Sequence, residues 1–120
     1  MFAAMAETIE GLTRTIREFR DARDWKPFHG PKDMAIGIAA EAGELLQHFV
    51  WQSNEQSEQR AKERKGEIAS EIADVGILLF ELADNLGLNL AEIMRAKIAN
   101  NELRYPVAKS RGSNKKYNEL

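Results

Sequence analysis

Residues 68–82 read IASEIADVGILLFEL, and the spacing of their apolar side chains predicts an α-helix with one core-facing side. Two acidic residues, Glu71 and Asp74, fall on that same side three residues apart. The apolar residues that share the face are Ile68, Val75, Leu78 and Leu82. This helix therefore carries a pair of carboxylates where apolar contacts are expected.

A second stretch, residues 34–48, reads MAIGIAAEAGELLQH and repeats the arrangement. Glu41 lies on the predicted core-facing side, and Glu44 lies one turn further on, beside Leu45. The other residues of this face are Met34, Ile38 and His48. Two successive helices thus direct paired acids towards the interior.

Paired acids on apolar faces are costly, because an unpaired buried carboxylate loses several kcal/mol of solvation or becomes protonated. A single E-x-x-E motif is usually a solvated helix face, but two such motifs on adjoining apolar faces favour a metal site. We predict that Glu41, Glu44, Glu71 and Asp74 bind a hard divalent cation, Mg²⁺ with Mn²⁺ as a substitute. Glu67, one turn before Glu71, is either a further acid of this site or a surface residue.

The histidines exclude a di-iron bundle, which requires Glu-x-x-His pairs. The positions three before His29 and His48 are Lys26 and Leu45. Ligation by oxygen alone points to Mg²⁺, which commonly shares its coordination with substrate phosphates. Chemistry on a phosphate ester or anhydride is the expectation.

The remaining periodicity predicts an all-α, four-helix-bundle-like fold. The four expected helices cover about 9–24, 32–51, 58–86 and 89–104, with a polar connection at 52–59. Gly87 is expected in a left-handed conformation just past the third helix, and Asn89 with Glu92 is expected to form a capping box.

The length of 120 residues fits a single domain, 1–120, with a helical body at about 6–104 and a basic, irregular tail at about 105–120. The net charge of −2 argues against nucleic acid as a partner, and no apolar run is long enough to span a membrane. The chain has no cysteine, and its first ten residues lack a signal-peptide pattern. A cytoplasmic protein is expected.

With these motifs, the sequence resembles the all-α nucleoside triphosphate pyrophosphohydrolases, the MazG-like group, and most closely its dCTP pyrophosphatase branch. The resemblance extends from about Thr8 to Leu120. Its carriers are the segments DWKPFH at 24–29, EAGEL at 41–45, FVW at 49–51, EIADV at 71–75, the residues Lys97 to Asn101, RYP at 104–106 and KKYNEL at 115–120.

This resemblance implies hydrolysis of a nucleoside triphosphate, with dCTP or a modified dCTP expected, to the monophosphate and pyrophosphate in nucleotide-pool sanitation. It implies Mg²⁺ on the four acids, with Glu41 or Glu44 as general base, and assembly into a homotetramer or homodimer. The substrate-binding residues that it implies are Trp25, His29, Trp51, Lys97, Asn101, Arg104 and Tyr105. Lys97 also lies on the predicted inner face of the fourth helix, where a phosphate or an acid would be its partner.

One position departs from the dCTP pyrophosphatase pattern. Leu78 stands where that branch typically has a tyrosine, four residues after Asp74. A pyrophosphohydrolase for dUTP or another non-standard nucleotide therefore stays open, as does a non-catalytic, metal-binding helical oligomer. Sequence leaves open the base preference, the number of metal ions, the phosphorus attacked and the choice between dimer and tetramer.

Overall fold

The computed structural model describes residues 6–120, and these residues contain helices and no strand. The predicted all-α class is therefore confirmed. The α-helices are α1 (Ile9–Asp21), α2 (Pro31–Gln47), α3 (Asn54–Glu63), α4 (Lys65–Asn85), α5 (Leu90–Arg104) and α6 (Val107–Ser110), and 3₁₀ turns cover Lys26–Phe28 and Tyr117–Glu119.

The described residues divide into two compact units, one that ends at Gly87 and one that covers Leu88–Leu120. None of the described helices is long and apolar enough to cross a membrane. The first residues of the sequence, on which the expectation of no signal peptide partly rests, lie outside the described part.

Helix α4 is the centre of the first unit, because α1, α2 and α3 all pack against it. Helix α2 packs closely on α4 at Gly37, where an added Cβ would lie 3.3 Å from Cδ1 of Leu78. Met34 on α2 and Ile68 on α4 are buried, as their spacing predicts. This tight pairing of α2 with α4 holds the two acidic motifs opposite each other.

The prediction of one long helix over 58–86 was wrong, because the helical path breaks at Arg64, whose backbone has φ −114° and ψ 31°. Helix α3 also begins earlier, inside the stretch predicted as a polar connection. Ser53 Oγ accepts from the Gln56 amide at 3.1 Å, and Gln56 Oε1 accepts from the Ser53 amide at 2.9 Å. This reciprocal capping box starts a helix in a segment that lacks apolar residues.

Helix α2 ends at Gln47, four residues before its predicted end. The His48 amide donates to the Leu45 carbonyl at 3.3 Å, and the Phe49 amide donates to the Leu46 carbonyl at 2.9 Å. These bonds between residues three apart tighten the chain into a turn and satisfy carbonyls at the helix end. Trp51 follows at φ 62°, an uncommon conformation for a residue with a side chain.

The junction after α4 follows its sequence signals in part: Gly87 is left-handed as predicted, but the predicted capping box is only half formed, because the Glu92 side chain does not accept from the Asn89 amide. Gly87 has φ 71°, and Asn89 Oδ1 accepts from the Glu92 amide at 3.0 Å. In the second unit, the tail is more regular than predicted, since it contains α6 and a 3₁₀ turn. The ring of Tyr117 packs edge-on against Tyr105, with centroids 6.1 Å apart.

Gly87→Ala should lower the free energy of unfolding by about 1 kcal/mol, because a Cβ is strained at positive φ even where space is open. Gly66→Ala is the matched control: Gly66 lies within α4, and an added Cβ would also meet open space. That change should raise the free energy of unfolding by roughly 0.5 kcal/mol. Urea unfolding measures both, and an unchanged or more stable Gly87→Ala protein would contradict the assigned conformation.

Candidate functional site

Four carboxylates meet between α2 and α4. Each of Glu41, Glu44, Glu71 and Asp74 offers one oxygen, and these four oxygens all lie within 4.8 Å of one another. The spacing of three residues within each motif puts both acids of a helix on the side that faces the other helix. The structure thus brings together the four residues predicted to bind metal, here called the acidic cluster.

Burial makes this proximity costly. Glu41, Glu71 and Asp74 are half-buried, and only Glu44 is exposed. Oε2 of Glu41 and Oε2 of Glu71 are buried without a hydrogen-bond partner among the described residues. Loss of solvation, followed by the charge and hydrogen bond of Glu44, raises the pKa of Glu41 above its ordinary value of 4.5. Two buried acceptors that lack a proton donor are the pattern expected where a cation belongs.

Within residues 6–120, no lysine or arginine forms an ion pair with the acidic cluster. The nearest basic group is His48, whose Nε2 lies 3.7 Å from Oε1 of Glu71, too far for a hydrogen bond. Sequence reasoning placed His48 on this face but gave it no role. Glu67, the possible further acid, is 65% exposed and lies 4.0 Å from Arg64, outside the cluster.

The predicted aromatic contacts are only partly assembled. Trp25 and His29 flank the 3₁₀ turn after α1, and their ring centroids lie 6.3 Å apart at a tilt of 53°. Phe19 packs edge-on against Trp25 at 5.8 Å. Trp51 is 97% exposed and belongs to no aromatic pair in the described part of the chain. The first unit therefore offers an indole and an imidazole side by side, with Trp51 apart from them.

A second polar cluster lies behind His29. His29 Nδ1 is 2.6 Å from Oε2 of Glu81, and Glu81 lies on α4 next to Arg20 of α1. The sequence analysis did not identify Glu81 or Arg20. The spacing in the sequence could have identified Glu81, because it follows Asp74 by seven residues and therefore lies on the same face of the helix.

The remaining predicted residues belong to the second unit. Lys97, Asn101 and Arg104 are spaced by four and three residues, so they share one side of α5. Lys97 is exposed, which corrects the expectation that it faces a core, since α5 contains no buried residue. The guanidinium of Arg104 lies 4.7 Å from the centre of the Tyr117 ring, a cation–π contact. Tyr105 caps α5 and packs on the same ring.

Comparison with known proteins identifies relatives over nearly the whole chain. The model of the MazG-like family matches residues 36–120. The dCTP pyrophosphatase 1 of Mus musculus is 37% identical over 116 residues, which cover 94% of this chain and 68% of that protein. The dCTP pyrophosphatase 1 of Homo sapiens is 31% identical over 115 residues, with the same coverage of 94% and 68%. The crystal structure of a pyrophosphatase from Archaeoglobus fulgidus is similar with a TM-score of 0.80 and 38% identity, over 88% of this chain and 99% of that chain.

The raised pKa of Glu41 predicts how stability depends on pH. The folded state holds the Glu41 proton more tightly than the unfolded state, so the contribution of Glu41 to stability falls as the pH rises above 4.5. Glu41→Gln removes this penalty, and we expect its thermal unfolding midpoint in chelator to exceed that of the parent protein at about pH 7.5. The difference should shrink as the pH is lowered to 4.5.

Glu67→Gln is the control for this measurement, because Glu67 is an exposed acid of α4 outside the cluster. Its midpoint should follow that of the parent protein at each pH. A Glu41→Gln protein that unfolds at or below the parent temperature in chelator at neutral pH would show that Glu41 carries no such penalty.

Proposed function

The chain belongs to the MazG-like family, and from this premise we propose that it is a nucleoside triphosphate pyrophosphohydrolase. The proposed reaction converts dCTP, or a modified dCTP, and water to dCMP and pyrophosphate. The observation that carries the proposal is the acidic cluster, with its uncompensated oxygens on Glu41 and Glu71. The relatives named dCTP pyrophosphatase support the choice of substrate.

The donor set of the acidic cluster fits Mg²⁺ as the proposed cofactor, with Mn²⁺ as a substitute. All four donors are carboxylate oxygens, which suit a hard cation, and Glu41 and Glu71 each have a buried oxygen without a hydrogen-bond partner among the described residues. Glu41, Glu44, Glu71 and Asp74 would hold the ion. When bound, Mg²⁺ neutralises phosphate charge and increases the acidity of coordinated water.

The remaining chemistry falls to the side chains themselves. One of the two acids of α2, Glu41 or Glu44, accepts a proton from the attacking water. At the same time, the oxygen of that water forms a bond to phosphorus. The bond from that phosphorus to the leaving phosphate oxygen breaks, and pyrophosphate departs.

Each unit by itself contains proposed nucleotide-binding residues. Trp25 offers a flat apolar surface that is 43% exposed, and His29 offers hydrogen-bonding nitrogen beside it. Trp51, at 97% exposure, is also free to stack on a base. In the second unit, the proposed contacts with phosphate and sugar are Lys97, Asn101, Arg104 and Tyr105.

Leu78 supports a broader base preference as a second candidate. Its side chain packs towards Gly37 in the α2–α4 contact and has no hydroxyl to direct at a base. A pocket without a hydroxyl at this position cannot form a hydrogen bond from it to the base, and such a pocket discriminates less strongly between bases. Hydrolysis of dUTP or of another non-standard nucleotide is therefore the alternative specificity.

Assembly into a homotetramer or homodimer and a cytoplasmic location belong to the same proposal. The support for assembly is apolar exposure in the first unit: Ile36 is 59% exposed, Leu46 64% and Ile72 56%. Self-association would cover such side chains, since large exposed apolar patches are uncommon on monomers.

Pyrophosphate release from a panel of deoxynucleoside and nucleoside triphosphates, with Mg²⁺ and with chelator, tests the proposal first. We expect Mg²⁺-dependent release that is fastest with dCTP or a modified dCTP. Faster release from dUTP would keep the reaction and change the specificity. No release from any nucleotide would favour a non-catalytic, metal-binding helical oligomer.

Glu41→Gln should lower kcat by about a thousandfold, because it removes a proposed metal ligand and a candidate general base. The fold should be retained, which circular dichroism can check. Glu67→Gln is again the matched control and should keep the parent rate. Full activity in the Glu41→Gln protein would remove Glu41 from the mechanism.

A further inference from the structure

Two charged side chains of the first unit, Arg20 and Glu81, are each only 3% exposed. Neither belongs to the acidic cluster, and the proposed reaction assigns them no task. Burial of a charged pair costs several kcal/mol of solvation for each ion and gives little net stability in return. Their position therefore calls for a role in addition to holding the fold.

The contacts of Glu81 converge on one oxygen, Oε2. His29 Nδ1 lies 2.6 Å from it, and the Asn85 side-chain amide donates to it at 3.3 Å. Arg20 Nη1 lies 3.8 Å from the same oxygen and donates to Asn85 Oδ1 at 2.7 Å. The carboxylate that meets the imidazole is thus held by two other side chains.

Arg20 also anchors the segment after α1 that contains the proposed base-binding residues Trp25 and His29. The Arg20 backbone carbonyl accepts from the Trp25 amide at 3.2 Å, and its guanidinium Nε donates to Asp21 at 2.9 Å. Glu81 lies seven residues after Asp74 on α4, which is two turns or about 10 Å along the same face. One helix therefore supports both the acidic cluster and the His29 segment.

The chemistry of the pair fixes the orientation of the imidazole. An ionised carboxylate only accepts hydrogen bonds, so Nδ1 of His29 must carry the hydrogen that it donates to Glu81. The other ring nitrogen, Nε2, is then left for a further partner, and the His29 side chain is 23% exposed. An imidazole fixed at one nitrogen presents a single, oriented polar group at the other.

We propose that Glu81, held by Arg20 and Asn85, is a positioning residue for nucleotide binding, which fixes the ring and tautomer of His29 so that Nε2 meets the nucleotide. This inference rests on the proposed function, because it takes the ligand of His29 to be the nucleoside triphosphate. Glu81 itself does not touch the substrate. Its effect passes through His29.

A merely structural role for Glu81 would be to join α1 to α4. The neighbouring pair Arg17–Asp84 already joins these helices, with two bonds of 2.7 and 2.9 Å. Asp84 follows Glu81 by three residues and, within residues 6–120, forms no hydrogen bond or ion pair with a histidine. Asp84→Asn is therefore the matched control for the loss of a helix-joining carboxylate.

The first test uses the unaltered protein without nucleotide. Long-range ¹H–¹⁵N NMR reports the tautomer of each histidine, and the chain has only His29 and His48, so His48→Gln assigns the signals. We expect His29 with hydrogen on Nδ1, and the same state in Asp84→Asn. A neutral His29 with hydrogen on Nε2 alone would overturn the proposal, whatever the activity of the protein.

The second test is a double-mutant cycle on steady-state kinetics. Glu81→Leu and His29→Ala should each raise KM by about tenfold and leave kcat nearly unchanged. Glu81→Gln keeps a hydrogen-bond acceptor and should raise KM by about threefold. In the His29→Ala background, Glu81→Leu should leave KM unchanged. Additive effects in the two backgrounds, or an equal KM change in Asp84→Asn, would overturn the positioning role.

The two tests distinguish failure of the positioning role of Glu81 from failure of the proposed pyrophosphohydrolase function. If the parent protein releases pyrophosphate but the cycle is additive, the inference fails and the function stands. If the parent protein hydrolyses no nucleotide, the proposed function fails, and His29 loses the ligand for which Glu81 is proposed to position it. Should Glu81→Leu not fold, the parent tautomer and the Glu81→Gln kinetics decide.

Discussion

Mutual repulsion of four carboxylates, held within 4.8 Å of one another by the pairing of α2 with α4, is the constraint on which the first unit depends. Gly37 favours this close packing, since a Cβ there would lie 3.3 Å from Cδ1 of Leu78. That approach buries oxygens of Glu41 and Glu71 without donors. Charged carboxylates therefore occupy part of the α2–α4 interface that apolar side chains would otherwise fill.

This use of the helix interface limits the apolar core. The buried apolar side chains of the described chain are Ile16, Met34, Ile68 and Ala83. Several large ones remain outside, such as Ile72, which lies beside Glu71 on α4 and is 56% exposed. Since hydrophobic burial is the dominant favourable term in folding, a chain with so few buried side chains gains from any surface that covers the others. The acidic cluster and the proposed self-assembly thus have a common physical origin.

Local signals predicted the parts of the fold and site that depend on neighbours in sequence. The spacing of Glu41 with Glu44, and of Glu71 with Asp74, was enough to predict the cluster, because helix geometry alone decides which side chains share a face. Gly87 behaved as its lack of a Cβ requires. The break at Arg64 was missed because the polar residues before Ile68 provide no apolar pattern by which to locate a helix end, although the capping box at Ser53 could have been read from the sequence.

Contacts between distant residues could not be predicted in this way. His29 and Glu81 are 52 residues apart, and nothing local to either one specifies the other. The exposure of Trp51 depends on the early end of α2, which follows from hydrogen bonds of the turn rather than from apolar spacing. The outward position of Lys97 likewise depends on packing that a helical stripe does not determine.

The two groups of acids on α4 show how the chain treats buried charge in different ways. Glu81 is more deeply buried than Glu71 or Asp74, yet an arginine, an amide and an imidazole surround its Oε2. On the same helix, Oε2 of Glu71 has no hydrogen-bond partner among the described residues, and the basic neighbour of this acid, His48, lies 3.7 Å from Oε1. Because the chain supplies hydrogen bonds to Glu81 and none to these cluster oxygens, the uncompensated charge is not an unavoidable result of helix packing. The proximity of these acids raises the pKa of Glu41 and disfavours its charged form, and binding of the proposed divalent cation would offset both effects.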